Sequence, residues 1–103
     1  HEECRILVLD NALRLKANVL VSKGAADKTL VDIRTILYEL IQHRAVRFIF
    51  AHNHPAGSTQ PSAQDNDITR RLKAAAEAIQ IPLVDHIIIA GDTYYSYADE
   101  GRL

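Results

Sequence analysis

Sulfur and large aromatic residues are scarce in this 103-residue chain, which has one Cys, no Met and no Trp. A lone thiol, Cys4, cannot close an internal disulfide, so the fold has to be held by a packed core. With no signal-like apolar stretch beside it, that thiol predicts a reducing, cytoplasmic setting. Four Gly and three Pro are too few for a fibrous or low-complexity chain. No apolar run approaches the roughly 20 residues of a membrane span. Charge is equally unassertive: 12 basic against 13 acidic side chains give a formal charge of -1, so there is no global attraction to a polyanion. That argues against a dedicated nucleic-acid module and leaves only local patches.

What remains is an ordinary globular composition, 48% hydrophobic and 24% charged, at a length that predicts one domain over residues 1–103. The strand pattern starts within the first few residues, as expected of a domain taken from a longer protein with an upstream region.

Cys4 to Asp10 is an aliphatic run closed by the turn pair Asp10-Asn11, and Leu13 to Val21 alternates with the period of a half-buried strand. A hairpin is predicted. Gly24 to Lys28 interrupts the pattern, and Leu30, Ile33, Leu37, Leu40 and Ile41 then mark an amphipathic helix over Asp27 to His43. Val46 to Ala51 reads as a buried strand with His52 at its carboxyl end. Ile68, Leu72, Ala75, Ala76 and Ile79 mark a second helix entered near Ser62 and closed before Pro82. Leu83 to Ala90 and Thr93 to Tyr97 are the last strands, the final one an edge. The prediction is a single α/β domain, order β-β-α-β-α-β-β, with a mostly antiparallel or mixed sheet flanked by two helices.

His52, His54 and Asp65 put three metal-capable side chains within fourteen residues. Residues two apart on a strand point the same way, so both imidazoles can reach one ion, and Pro55, Gly57 and Pro61 suit a loop that returns Asp65 toward them. Two neutral imidazoles and a carboxylate favour zinc with an open fourth position. A second reading of Asp65 is purely local: Ser62-Ala63-Gln64-Asp65 makes a helix start, with Ser62 as N-cap and Asp65 at the third helical position, near a capping box. The sequence leaves both open.

The segment His52-Asn53-His54-Pro55, with seven residues between His54 and the following Ser62-Ala63-Gln64-Asp65, resembles the JAMM motif of the JAB/MPN-type zinc metallopeptidases. More narrowly, Ala51 to Pro55, Pro61-Ser62, Thr69, Leu72 and Val84-Asp85-His86-Ile87-Ile88-Ile89 resemble the RadC-like branch, bacterial proteins historically labelled as DNA repair factors. The resemblance spans essentially the whole chain. It implies a cytidine-deaminase-like JAB/MPN architecture, a Zn2+ ion on His52, His54 and Asp65, a peptide or isopeptide substrate, and Ser62 as donor to the oxyanion. It also implies a glutamate general base upstream. Aligning the strand that ends at Asp10 puts that glutamate on Glu2, with Glu3 as the neighbouring alternative; on a strand the two face opposite ways. The competing implication of the branch's label is a DNA-associated module with a structural or vestigial metal. A nuclease on the same ligands lacks the paired-metal clamp. Where the branch usually has Pro-Ser-Gly-Asp, this chain has Pro55-Ala56-Gly57-Ser58, removing a hydroxyl and a carboxylate from the loop.

His86, set among aliphatic residues, reads either as a buried histidine satisfied by hydrogen bonds or as support for the metal site. His43-Arg44 suits a helix C-terminus. Arg70, Arg71 and Lys73, with Arg44 and Arg47, read as a solvated basic face or a phosphate contact. Tyr94, Tyr95 and Tyr97 suit an edge strand open to strand addition by a peptide.

Overall fold

The turn residues after the first aliphatic run do what short polar side chains do at a chain reversal. The Asp10 carboxylate accepts from the backbone N–H groups of Ala12 (2.8 Å) and Arg14 (2.9 Å), and Leu13 takes a left-handed φ of 63°. The reversal joins β1 (Glu3–Leu9) to β2 (Leu15–Lys23) as antiparallel partners. The computed structural model describes residues 1–23 and 31–103 of the chain. The predicted interruption at Gly24 to Lys28 and the start of the predicted first helix, with Leu30, therefore lie mostly or wholly outside the described residues. Within them that helix is α1 (Ile33–Gln42), capped by Asp32, whose side chain accepts from Arg34 N–H. Then follow β3 (Arg47–Asn53), α2 (Ala63–Ala78), β4 (Leu83–Ala90) and β5 (Thr93–Ser96), in the predicted order.

The strands form one five-stranded mixed sheet in the order β2-β1-β3-β4-β5. β1 and β3 are antiparallel, whereas β3 and β4 run parallel because α2 carries the chain back across the sheet between them. β5 is an edge, as expected.

Both helices lie on one face. Ile36 and Leu40 of α1 and Leu72 and Ala76 of α2 form a single cluster with Ile6, Val8, Phe48 and Phe50. These are alternate residues of β1 and β3, and each large aliphatic or aromatic side chain removed from water there contributes about 1.5–3 kcal/mol. The opposite face carries Leu7, Ile49 and Ile87, only partly covered. On β2, Ala17, Val19 and Val21 reach the core, but Leu13 and Leu15, which the alternation had placed with them, are 55% and 61% exposed. The hairpin explains this: Leu13 belongs to the turn, and a register shift at Val8/Leu9 takes Leu15 out of phase.

Cys4, His52 and Ile88 lie on the core face along one line of cross-strand partners, as do Ile6, Phe50 and His86 along the next. The helix-facing side therefore carries two histidines from adjacent parallel strands into the space beneath the start of α2.

Candidate metal centre

His52 lies inside β3, and His54 follows its last residue, still fixed to the sheet because its N–H donates to Ile89 C=O at 2.9 Å. Backbone alternation turns both imidazoles to the helix side. Asp65 comes from the first turn of α2. Its carboxylate oxygens stand 3.0 Å from His52 Nε2 and 3.1 Å from His54 Nε2, and the two imidazole Nε2 atoms are 3.1 Å apart. A tetrahedral zinc with ligands near 2.05 Å needs donor-to-donor edges of about 3.3 Å; each imidazole has one of the two Asp65 oxygens at about that distance, Oδ1 for His52 and Oδ2 for His54. The donor set, two imidazole nitrogens and one carboxylate, also suits that ion. Among the described residues this is the group of metal-capable side chains whose donor atoms converge.

The two readings of Asp65 do not compete. Its Oδ2 accepts from Ser62 N–H at 2.8 Å while Ser62 Oγ accepts from Asp65 N–H at 3.0 Å, which completes the capping box. A carboxylate has about four lone-pair positions, enough for the cap and both histidine contacts. Capping is what holds the carboxylate in place: it fixes the side chain's rotamer, and the helix N-terminus favours its negative charge. Burial by itself raises the Asp65 pKa, but hydrogen bonds from His52 and Ser62 outweigh it and hold the group well below the usual carboxylate range.

Each histidine has a partner for its other ring nitrogen. His54 Nδ1 lies 2.8 Å from Ser58 C=O, and His52 Nδ1 lies 2.9 Å from His86 Nε2. The loop contact uses the main chain of Ser58, so replacement of a carboxylate at that position leaves it intact. The Ser58 hydroxyl caps the loop locally by accepting from Gln60 N–H at 3.2 Å.

His86 is fully buried, stacked on Tyr97 with ring centroids 4.7 Å apart and packed against Phe50 at 4.9 Å. Burial first, then neighbouring His52, pushes its pKa down to about 3. Its Nδ1 meets the hydroxyl of Thr69, which in turn donates to Asp65 C=O at 2.7 Å. His86 is therefore a satisfied core histidine, and the partner of its Nε2 is His52. The place of Thr69 one helical turn after Asp65 was the available signal for its contact.

Glu2 lines two cavities beside the triad, one of about 180 Å³ with Cys4, Phe50, His52 and Arg71, the other of about 280 Å³ with His54, Ser58 and Ser62. Asp65 lines both. Glu3 is on the opposite face, paired with Arg5 at 3.2 Å. Cys4 borders the first cavity, and burial, with the charges of Glu2 and Asp65 added, pushes its thiol up to about 12. It is an inert core residue.

The other singled-out residues lie apart from the triad's donor atoms. Arg70 and Arg71 both pair with Asp67, which neutralises part of the predicted basic face. His43 Nδ1 donates to Glu39 C=O at 2.8 Å and finishes α1. Tyr94 is exposed on β5, whereas Tyr97 is buried against His86. Among the described residues no helix is long and apolar enough to cross a membrane.

The chain matches the RadC-like JAB domain over residues 1–102. It is 41% identical to a UPF0758 protein of Bordetella petrii, over 99% of this chain and 45% of that protein. It is 38% identical to one of Flavobacterium johnsoniae, over 98% of this chain and 44% of that protein. A UPF0758 protein of Porphyromonas gingivalis is 39% identical over 99% of this chain and 45% of its own length. The chain thus spans under half the length of these relatives. With the match running nearly end to end, the chain belongs to the RadC-like JAB domain family.

Proposed function

We propose that the chain is a zinc-dependent amide hydrolase of the JAMM type, acting on a peptide or isopeptide in the cytoplasm. The observation that carries this reading is the convergence of His52 Nε2, His54 Nε2 and the Asp65 carboxylate, each edge 3.0–3.1 Å, next to cavities that a free carboxylate, Glu2, also lines.

His52, His54 and Asp65 would hold the ion and leave one position open to solvent and substrate. Zinc there supplies Lewis acidity, bringing the pKa of water at the open position from about 15.7 toward about 7. Glu2, lining both cavities, would hold the proton of an attacking water and return it to the leaving amine. Ser62 can serve twice. Its Oγ accepts from Asp65 N–H through a lone pair, which leaves its O–H free to donate to the developing oxyanion. The cap therefore aims the hydroxyl rather than consuming it.

The test has two parts. Elemental analysis after metal reconstitution should give about one zinc per chain, lost in His52→Ala; a zinc-free wild type defeats the reading. Hydrolysis of peptide and lysine isopeptide substrates should then appear with zinc and vanish with chelator.

A further inference from the structure

With both histidines neutral and an ion on His52 Nε2, the hydrogen bonds behind the triad run in one self-consistent direction. The Asp65 carbonyl can only accept, so the Thr69 hydroxyl, 2.7 Å away, must donate to it. With its proton committed, Thr69 Oγ meets His86 Nδ1 as an acceptor, and the single N–H of a neutral His86 lies on Nδ1. His86 Nε2 is then bare, so at 2.9 Å the ring of His52 must donate to it from Nδ1. For a neutral His52 that leaves Nε2 as the lone pair an ion between it, Asp65 and His54 would take; with no ion there, a proton on Nε2 is what lets His52 donate to Asp65 at 3.0 Å. Each proton position follows from the previous one, starting at a main-chain carbonyl that has no choice.

We propose that His86 and Thr69 are positioning residues that set the tautomer and orientation of His52, tying two metal ligands into one closed ring through Asp65, Thr69, His86 and His52. The inference rests on the metal-site reading above and extends it to residues outside the ligand set. The ring joins the first turn of α2 to β3 and β4, so the ligand residues on helix and strand are held by side chains as well as by packing. His86 is suited to the task because it is tightly enclosed: Tyr97 stacks on it at an interplanar angle of 5°, the Phe50 ring packs against it at 4.9 Å, and it is 0% exposed. Tyr97 is itself anchored, its hydroxyl donating to Asn66 Oδ1 at 2.7 Å. By contrast, His54 relies on a carbonyl of an exposed loop. The centre thus has one ligand fixed from the core and one fixed from the surface.

The experiment measures zinc affinity by chelator competition for the wild type, His86→Phe, His86→Gln and Thr69→Val. Loss of an outer partner of this kind weakens metal binding by about 10- to 100-fold, the effect expected for His86→Phe, which keeps a ring against Tyr97 but offers no acceptor. His86→Gln, whose carboxamide oxygen can stand near the Nε2 position, should recover part of that loss. Thr69→Val, similar in shape, should weaken zinc without lowering folded content by circular dichroism. Nitrogen-15 NMR of the wild-type zinc protein should find both His52 and His86 protonated at Nδ1; this reading needs no variant, so it stands even if His86→Phe does not fold. Variants within threefold of wild-type affinity, or His86 protonated at Nε2, would overturn the proposal while leaving the metal site intact. A wild type that takes up no zinc removes the site and the ring together.

Discussion

His86 makes the chain acid-sensitive at a higher pH than the lowered carboxylates Asp10, Asp32 and Asp65 do. Burial holds its folded-state pKa near 3 against an ordinary 6.5. The sign follows from which state binds the proton: below pH 6.5 the unfolded chain takes one up and the folded chain does not, so stability falls as pH falls toward 3. At about 1.4 kcal/mol per pH unit, the loss by pH 4.5 is about 2.7 kcal/mol, a large share of a small domain's stability. The lowered carboxylates Asp10, Asp32 and Asp65 act in the same direction but at lower pH: their stabilisation is present above 3.8 and is lost only below it, outside the range from 6.5 to 4.5. Urea unfolding of the zinc-free chain at pH 7.5 and 4.5 measures the effect, with His86→Phe as the reference that cannot titrate. The variant pays for its lost hydrogen bonds at both pH values, so the difference between the two proteins should shrink by about 2.7 kcal/mol on acidification. A change below about 1 kcal/mol would refute the claim that a buried, neutral His86 governs this range.

Further outcomes follow from the same geometry. Ser62→Ala should cost about 1 kcal/mol of stability through the lost cap and lower kcat by about 10²–10³ through the lost donor, checked by urea unfolding and by steady-state kinetics. Glu2→Gln should abolish turnover with zinc content unchanged, whereas Glu3→Gln, on the face that pairs with Arg5, should leave turnover as it was; equal losses would defeat the assignment of the base. Cys4, with its thiol pushed from 9.0 to about 12, should alkylate about a thousandfold more slowly in the folded chain than in urea. Mass spectrometry after iodoacetamide treatment at pH 8 reads this directly.

Much of the molecule was legible from its sequence because the deciding interactions are local. A strand is marked by alternation, a helix by three- and four-residue steps, and the α2 start by Ser62 and Asp65 capping each other across three residues. The pairing of His52 with His54 follows from strand geometry in the same way, and β4 has the bounds its apolar run suggested. Local pattern fails where register matters: Leu15 has the alternation of a core residue, yet one shift beside Leu9 turns it to solvent.

The tertiary structure alone decided three things. It set which upstream glutamate shares a cavity with the triad, since a strand's facing depends on its partners, and β1 is held between β2 and β3. It showed that Asp65 caps a helix and meets both imidazoles at once, which sequence could pose only as alternatives. And it brought His86 to His52, residues 34 apart, by laying β4 parallel to β3. The sequence by itself determined which side chains could hold an ion, because donor chemistry and spacing are written along the chain. How those donors are oriented belongs to the fold, because the groups that aim them come from a different strand and a different helix turn.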